Sequence, residues 1–217
     1  MQLSIFFRVL SLAATVALTG CATNAPYDYS ALRSAKPASI LVLPPVNHSP
    51  EVNASAGVLS QISLPMAEAG YYVLPVAVTD EMFRQNGIVS AEDAQELPVS
   101  KLQKIFGADA ALYLEIKSYG TSYAVISSST TVTLEAKLVD LRSGTQLWDG
   151  RATASSAEGQ NSGGGLAGML ITALLNQIVD TVSDRSVQIS AIASQRLISP
   201  AMPRGLLAGP RSPSYVK

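Results

Sequence analysis

Thr131-Val132-Thr133-Leu134-Glu135-Ala136-Lys137-Leu138-Val139-Asp140-Leu141-Arg142-Ser143-Gly144 alternates apolar and polar residues and then breaks. Val132, Leu134, Ala136 and Leu138 fall on one side, Thr131, Thr133, Glu135 and Lys137 on the other. That period of two predicts a half-buried β-strand, and Asp140 to Gly144 supplies turn chemistry. Just upstream, Ala110, Leu112, Leu114 and Ile116 alternate with Tyr113, Glu115 and Lys117. Thr145 to Ala154, carrying Trp148, follows the turn and should return antiparallel. These three segments predict a meander.

Farther upstream, Ile40-Leu41-Val42-Leu43 reads as a buried strand stopped by Pro44-Pro45, which remove backbone donors. Val58, Ile62 and Met66 lie at helical spacing within 58–69, with Pro65 expected to kink or end that helix. Gly70 is a break, and Tyr71 to Val76 is a second strand. Thr79 fits an N-cap for a helix running to Asn86-Gly87, and Ser100 one for Lys101 to Phe106, ended at Gly107. Downstream, Ser155 to Gly165 reads as a loop, and Leu166 to about Leu197 as the longest helix, with Ile171, Leu175, Ile178, Val182, Ile189 and Ile192 in a stripe. Pro-rich residues 200–217 read as a disordered tail. The order predicts an α/β (α+β) domain over 37–199: one mixed sheet of about five strands, helices packed on a face, and a long C-terminal helix.

The N-terminus has another logic. Residues 1–20 carry Arg8, an apolar run from Val9 to Leu18, and small residues at Thr19 and Gly20. This is the pattern of a secretory signal, too short and interrupted for a spanning helix of about 20 apolar residues. Leu18-Thr19-Gly20-Cys21 looks like the lipobox of a bacterial lipoprotein, which implies signal-peptidase recognition at 18–20. It also implies N-acyl and S-diacylglycerol lipid on Cys21. Ala22 in place of Asp resembles the residues that permit transfer to the outer membrane. Residues 21–36 read as a lipid-anchored tether, unless Tyr27 and Tyr29 pack back on the domain.

Without residues 1–20 the chain keeps 14 Lys and Arg against 16 Asp and Glu, so no basic surplus exists to neutralise nucleic-acid phosphates. Cys21 is the only cysteine and His48 the only histidine, which rules out a disulfide and a Cys/His metal site. The only cofactor expected is the covalent lipid.

A Ser–His pair at His48, just beyond the Pro44-Pro45 strand end, is the one catalytic arrangement available, and an exposed loop histidine is the preferred reading. Asp80/Glu81 suits a helix start, Glu92/Asp93 a solvated loop, and Asp180/Asp184 a polar helix face. Gly163-Gly164-Gly165 lacks the Lys and Ser/Thr of a phosphate loop, since Leu166 and Ala167 follow. The apolar stretch from Leu166 to Val179 is a core helix or a partner surface. Leu166, Met169 and Leu170, together with Trp148, are the candidates for such a surface.

Several motifs occur in one order: the lipobox, the strand ending at Pro44-Pro45, Phe106-Gly107-Ala108-Asp109-Ala110, and Val139-Asp140-Leu141-Arg142-Ser143-Gly144 leading to Leu147-Trp148-Asp149-Gly150. Together they resemble a family of bacterial lipoproteins without assigned catalytic residues, that of a meningococcal vaccine candidate. The resemblance implies a fold like the N-terminal domain of TolB, the curli secretion lipoprotein and a lipoprotein activator of peptidoglycan synthases. It further implies a non-enzymatic accessory or assembly subunit at the outer membrane, facing the periplasm. Its partners would be cell-envelope proteins, such as a curli-secretion-like lipoprotein, or further copies of itself. A peptidoglycan-synthase activator and a His48 hydrolase are the alternatives.

Overall fold

The structure is a computed structural model that describes residues 26–123, 128–158 and 185–216. Residues 1–25, the loop glycines Gly163 to Gly165, Leu166, Met169, Leu170, and the pair Asp180/Asp184 lie outside the described residues.

Six strands form one mixed sheet: β1 Ser39–Val42, β2 Val46–Asn47, β3 Tyr72–Val73, β4 Ala110–Tyr123, β5 Ser128–Asp140 and β6 Gln146–Ser155. The order is β3-β1-β4-β5-β6, with β2 also beside β4. β1 runs parallel to β3 and β4, β2 runs parallel to β4, and β4, β5 and β6 form the expected antiparallel meander. Pro44-Pro45 ends β1 as expected, but the chain resumes pairing at Val46, opposite Glu115. That resumption supplies the strand beyond the five foreseen.

Six helices are described: α1 Ser30–Ala35, α2 Ala54–Glu68, α3 Val76–Gln85, α4 Ala91–Glu96, α5 Val99–Phe106 and α6 Arg185–Ile198. Alternation along β1 shows how they are layered. Ile40 and Val42 join one core with Val58, Ile62 and Met66 of α2 and Ile189, Ala193 and Leu197 of α6. Leu41 and Leu43 face the other way, onto Phe83 of α3, Ala94 of α4 and Leu102 of α5. The parallel part of the sheet is therefore covered on both faces, while much of the meander is covered on one, as the two kinds of pairing favour.

Two register shifts correct the simple alternation. In β4, Ile116 opposes Leu134 and Ser118 opposes Thr133, leaving Lys117 as the extra residue of a bulge. The bulge returns Tyr119 to the core side after Ile116. In β6, Leu138 opposes Trp148 and Val139 opposes Gln146, so Leu147 is extra. Leu147 and Trp148 can then both be buried although they are consecutive.

Other expectations need correction. Helix α2 begins four residues early and runs through Pro65 to Glu68. Burial of Val58, Ile62, Pro65 and Met66 offsets the cost of about 3 kcal/mol that an interior proline carries. Thr79 is not a cap: it sits inside α3, buried, with its hydroxyl donating to the Val76 carbonyl. Ser100 lies inside α5, which starts after Pro98. Glu92 and Asp93 belong to the first turn of α4, where the Ser90 hydroxyl accepts from the Asp93 N–H at 3.0 Å. The second strand shrinks to two residues.

Both presumed flexible ends pack on the domain. Tyr27 and Tyr29 lie against the main core, Leu32 of α1 is buried in it, and the Tyr29 hydroxyl donates to the Gly205 carbonyl at 2.6 Å. The expected tether of 21–36 is therefore too long, because its aromatic residues have partners. The expected disorder of 200–217 is corrected likewise. Leu206 is fully buried, and the N–H groups of Gly209 and Arg211 donate to the carbonyls of Ala69 and Gly70. Gly70 has φ +96°, and a Cβ there would stand 2.4 Å from the Ser212 nitrogen, so glycine lets this segment close in.

Candidate functional site

Three places were candidates from the sequence. The lipobox, Leu18-Thr19-Gly20-Cys21, and the apolar residues Leu166, Met169 and Leu170 lie outside the described residues. Trp148, proposed as a partner surface, is 1% exposed and is a core residue. Its indole N–H donates to the Arg204 carbonyl at 2.9 Å, and a Cβ on Gly150 would meet its ring at 2.3 Å. The Trp148-Asp149-Gly150 sequence is thus a packing motif: glycine makes room for the indole two residues earlier on the strand.

His48 is half exposed, and its Nε2 lies 3.2 Å from Oε2 of Glu115. Glu115 opposes Glu135, which opposes Arg151, across the uncovered face of β4, β5 and β6. Two carboxylates facing each other would repel. Lys117 pairs with Glu115 and approaches Glu135 at 3.4 Å, while Arg151 reaches Glu135 at 2.8 Å. The Lys117 ammonium, with a smaller contribution from His48, holds the Glu115 carboxyl below the usual carboxylate range. His48 therefore stands at the end of this charged row, in hydrogen-bond contact with Glu115.

The row continues sideways. Lys137 stands over the Tyr113 ring at 5.0 Å, and Asp149 accepts from Tyr27 and Arg204, each at 2.9 Å. Among the described residues no group of His, Cys, Asp and Glu is arranged to hold a metal.

At the start of β4 and the end of β5 two carboxylates act as clasps. Asp109 accepts from the N–H groups of Ala38 and Ser39 at 2.9 and 3.0 Å and from the Ser39 hydroxyl at 3.0 Å. Asp140 accepts from the N–H groups of Arg142 and Ser143 at 2.9 and 2.8 Å, and from the Arg142 guanidinium at 3.0 Å. Burial alone would raise both carboxyls; the hydrogen bonds outweigh it and hold both below the ordinary value. Arg142 also donates to the Ala35 carbonyl at 3.1 Å, joining α1 to the turn.

A groove of about 620 Å³ runs between α1 and the C-terminal segment. Leu32, Pro37, Tyr71, Leu207 and Val216 line its apolar part, and Arg33 and Lys36 border it. Tyr71 donates its hydroxyl to the Leu207 carbonyl at 2.8 Å, and burial pushes its phenol far above the usual range. Sequence reasoning missed this groove because it read one wall as a tether and the other as a disordered tail.

The clasp residues Asp109 and Asp140 and the Trp148-Gly150 pair are the motifs on which the family resemblance rested. The model of the family described as "Putative lipoprotein GNA1162-like" matches residues 27–211. The chain belongs to the GNA1162-like lipoprotein family. It is 48% identical over 206 residues to "Putative lipoprotein NMB1124/NMB1162" of Neisseria meningitidis serogroup B, covering 94% of this chain and 95% of that protein. The crystal structure of lipoprotein GNA1162 from Neisseria meningitidis is 49% identical, with a TM-score of 0.55, covering 67% of this chain and all of that one. The PelC dodecamer from Paraburkholderia phytofirmans is more distant, at 13% identity and a TM-score of 0.42, covering 72% of this chain and 93% of that chain. The GNA1162-like family thus fixes this chain as one of a lipoprotein family with a mixed α/β fold. No helix among its described residues is long and apolar enough to cross a membrane.

Proposed function

We propose that the protein is held at the outer membrane by lipid on Cys21, faces the periplasm, and acts as a non-enzymatic accessory or assembly subunit of a cell-envelope complex. The observation that carries this is Leu18-Thr19-Gly20-Cys21 placed six residues before Tyr27, where packing on the domain begins. Membership in a lipoprotein family supports it. At roughly 3.3–3.6 Å per residue the linker reaches about 20 Å. The domain would then ride close to the bilayer. So short a reach counts against the alternative of an activator that crosses the periplasm to a peptidoglycan synthase. The His48 ring hydrogen-bonds to Glu115 and to no serine hydroxyl among the described residues, which leaves a hydrolase without a nucleophile beside its base.

The anchor is tested by Cys21→Ser. The variant should remain uncleaved and carry no acyl mass. Normal processing together with acylation would sink the reading. The assembly role is tested by mild crosslinking of the wild-type protein in intact cells followed by mass spectrometry. A reproducible envelope partner, or a discrete homo-oligomer, is expected. A monomer without either would remove the proposal.

A further inference from the structure

We infer that the groove between α1 and the C-terminal segment binds an anionic phospholipid of the bilayer to which Cys21 anchors the chain; this rests on the anchor proposed above.

Two independent observations select this occupant. The first is charge. The groove interior is apolar, yet its border carries the exposed Arg33 and Lys36. Among the described residues neither enters an ion pair, whereas on the sheet face Lys117, Arg151 and Arg204 do and Lys137 stands over the Tyr113 ring. The acidic group nearest in sequence, Asp28, accepts from the N–H and the hydroxyl of Ser30 and feels Arg33 only as a weaker Coulomb attraction, without an ion-pair contact. An apolar trough with two unpaired cations at its lip matches an acyl chain joined to a phosphate. Lys36 is also held at φ 46°, a conformation that glycine adopts at lower cost. The second observation is reach. α1 begins only nine residues after Cys21, and the linker limits the anchor to about 20 Å from Tyr27. α1 is a wall of the groove, so the groove can be brought against the bilayer within the reach of the anchor. Basic residues near an anionic bilayer each contribute about 1 kcal/mol, a factor of roughly five in occupancy.

The test uses the full-length mature protein extracted from membranes. Val216, 88% exposed at the groove, is changed to Cys and labelled with a fluorophore; acylation of Cys21 leaves this the sole free thiol. Val89→Cys, 79% exposed beyond the helices of the opposite face, is the control position. Each protein is reconstituted in vesicles of phosphatidylcholine alone or mixed with phosphatidylglycerol, with spin-labelled acyl chains as quencher. Flotation reads the anchor, and quenching reads the groove. The expected result is flotation in both mixtures, with strong quenching at position 216 only in the anionic one. The pair Arg33→Glu and Lys36→Glu should lower groove occupancy by an order of magnitude or more. Lys36→Gly should lower it by roughly fivefold while leaving the melting temperature unchanged or raised. Equal quenching in the two mixtures would mean that the groove takes bilayer lipid without regard to headgroup charge, and would overturn the proposal. So would quenching at position 216 no greater than at 89, or unaffected by the charge changes. Failure to float would sink the anchor and the groove proposal with it, and is separately visible.

Discussion

The clasp at Asp140 and the charge row at Glu135 use the same chemistry, a carboxylate paired with arginine, in different surroundings. The Asp140 side chain is 5% exposed and takes two backbone N–H groups, a hydroxyl and a guanidinium. The Glu135 side chain is 35% exposed and meets only flexible cationic side chains. Coulomb attraction is weak in water and side-chain ordering costs entropy, so the row should stabilise little. The clasp instead gathers two backbone N–H groups of the turn onto one nearly buried carboxylate. One pair specifies the turn between β5 and β6, and the other mainly makes the uncovered sheet face polar. Replacing Asp140 by Ala should therefore cost about 1.5–3 kcal/mol, since several hydrogen bonds to a charged acceptor vanish and the turn loses its organiser. Urea denaturation measures it. A cost below that of Glu135→Ala would reverse the comparison.

Acid should separate the two regions next. Asp109 and Asp140 have folded-state pKa values below the ordinary value near 3.9. A lowered folded value means that their stabilisation is fully present above pH about 4 and is lost as pH falls through the folded values. Thermal midpoints measured from neutral pH down to about pH 2.5 should fall on the acid side. The paired variants Asp109→Asn and Asp140→Asn should flatten that fall. An unchanged acid slope would show that the clasp carboxylates are not its source.

Much of this was legible because alternation is a local signal. Val132, Leu134 and Leu138 announce a half-buried strand without any knowledge of what covers it. The bulges at Lys117 and Leu147 were not legible, since one extra residue changes no composition and shows only as a change of face. The ends of the domain were misread for a related reason. Their prolines and polar residues look like unstructured chain, while the anchoring residues are few and isolated: Tyr27, Tyr29, Leu32 and Leu206. Burial of single apolar residues in irregular backbone leaves no period to detect. Asp140 was legible, since its partners Arg142 and Ser143 lie within the turn it opens, but the role of Asp109 needed the approach of Ala38 and Ser39, about seventy residues away in sequence.

Glu135→Ala should cost only about 0.2–1 kcal/mol, and less at high salt, because the row is solvent-exposed and screened. Melting the wild type and this variant at low and high ionic strength reads the difference. The difference should shrink with salt. A loss above 2 kcal/mol that salt leaves intact would mean that the row is a structural network like the clasp.

His48→Ala should have the smallest effect. Lys117 is the stronger partner of Glu115, so removing the imidazole leaves the carboxylate paired. The ring itself is half exposed, and its departure opens no core cavity. The melting temperature should stay close to that of the wild type, and a strain carrying the variant should exclude detergents and dyes as the parent does. An envelope defect matching that of a strain lacking the protein, with normal protein levels, would make His48 a functional group. In that case the exposed end of the charge row, rather than the groove, would be the place to seek a substrate.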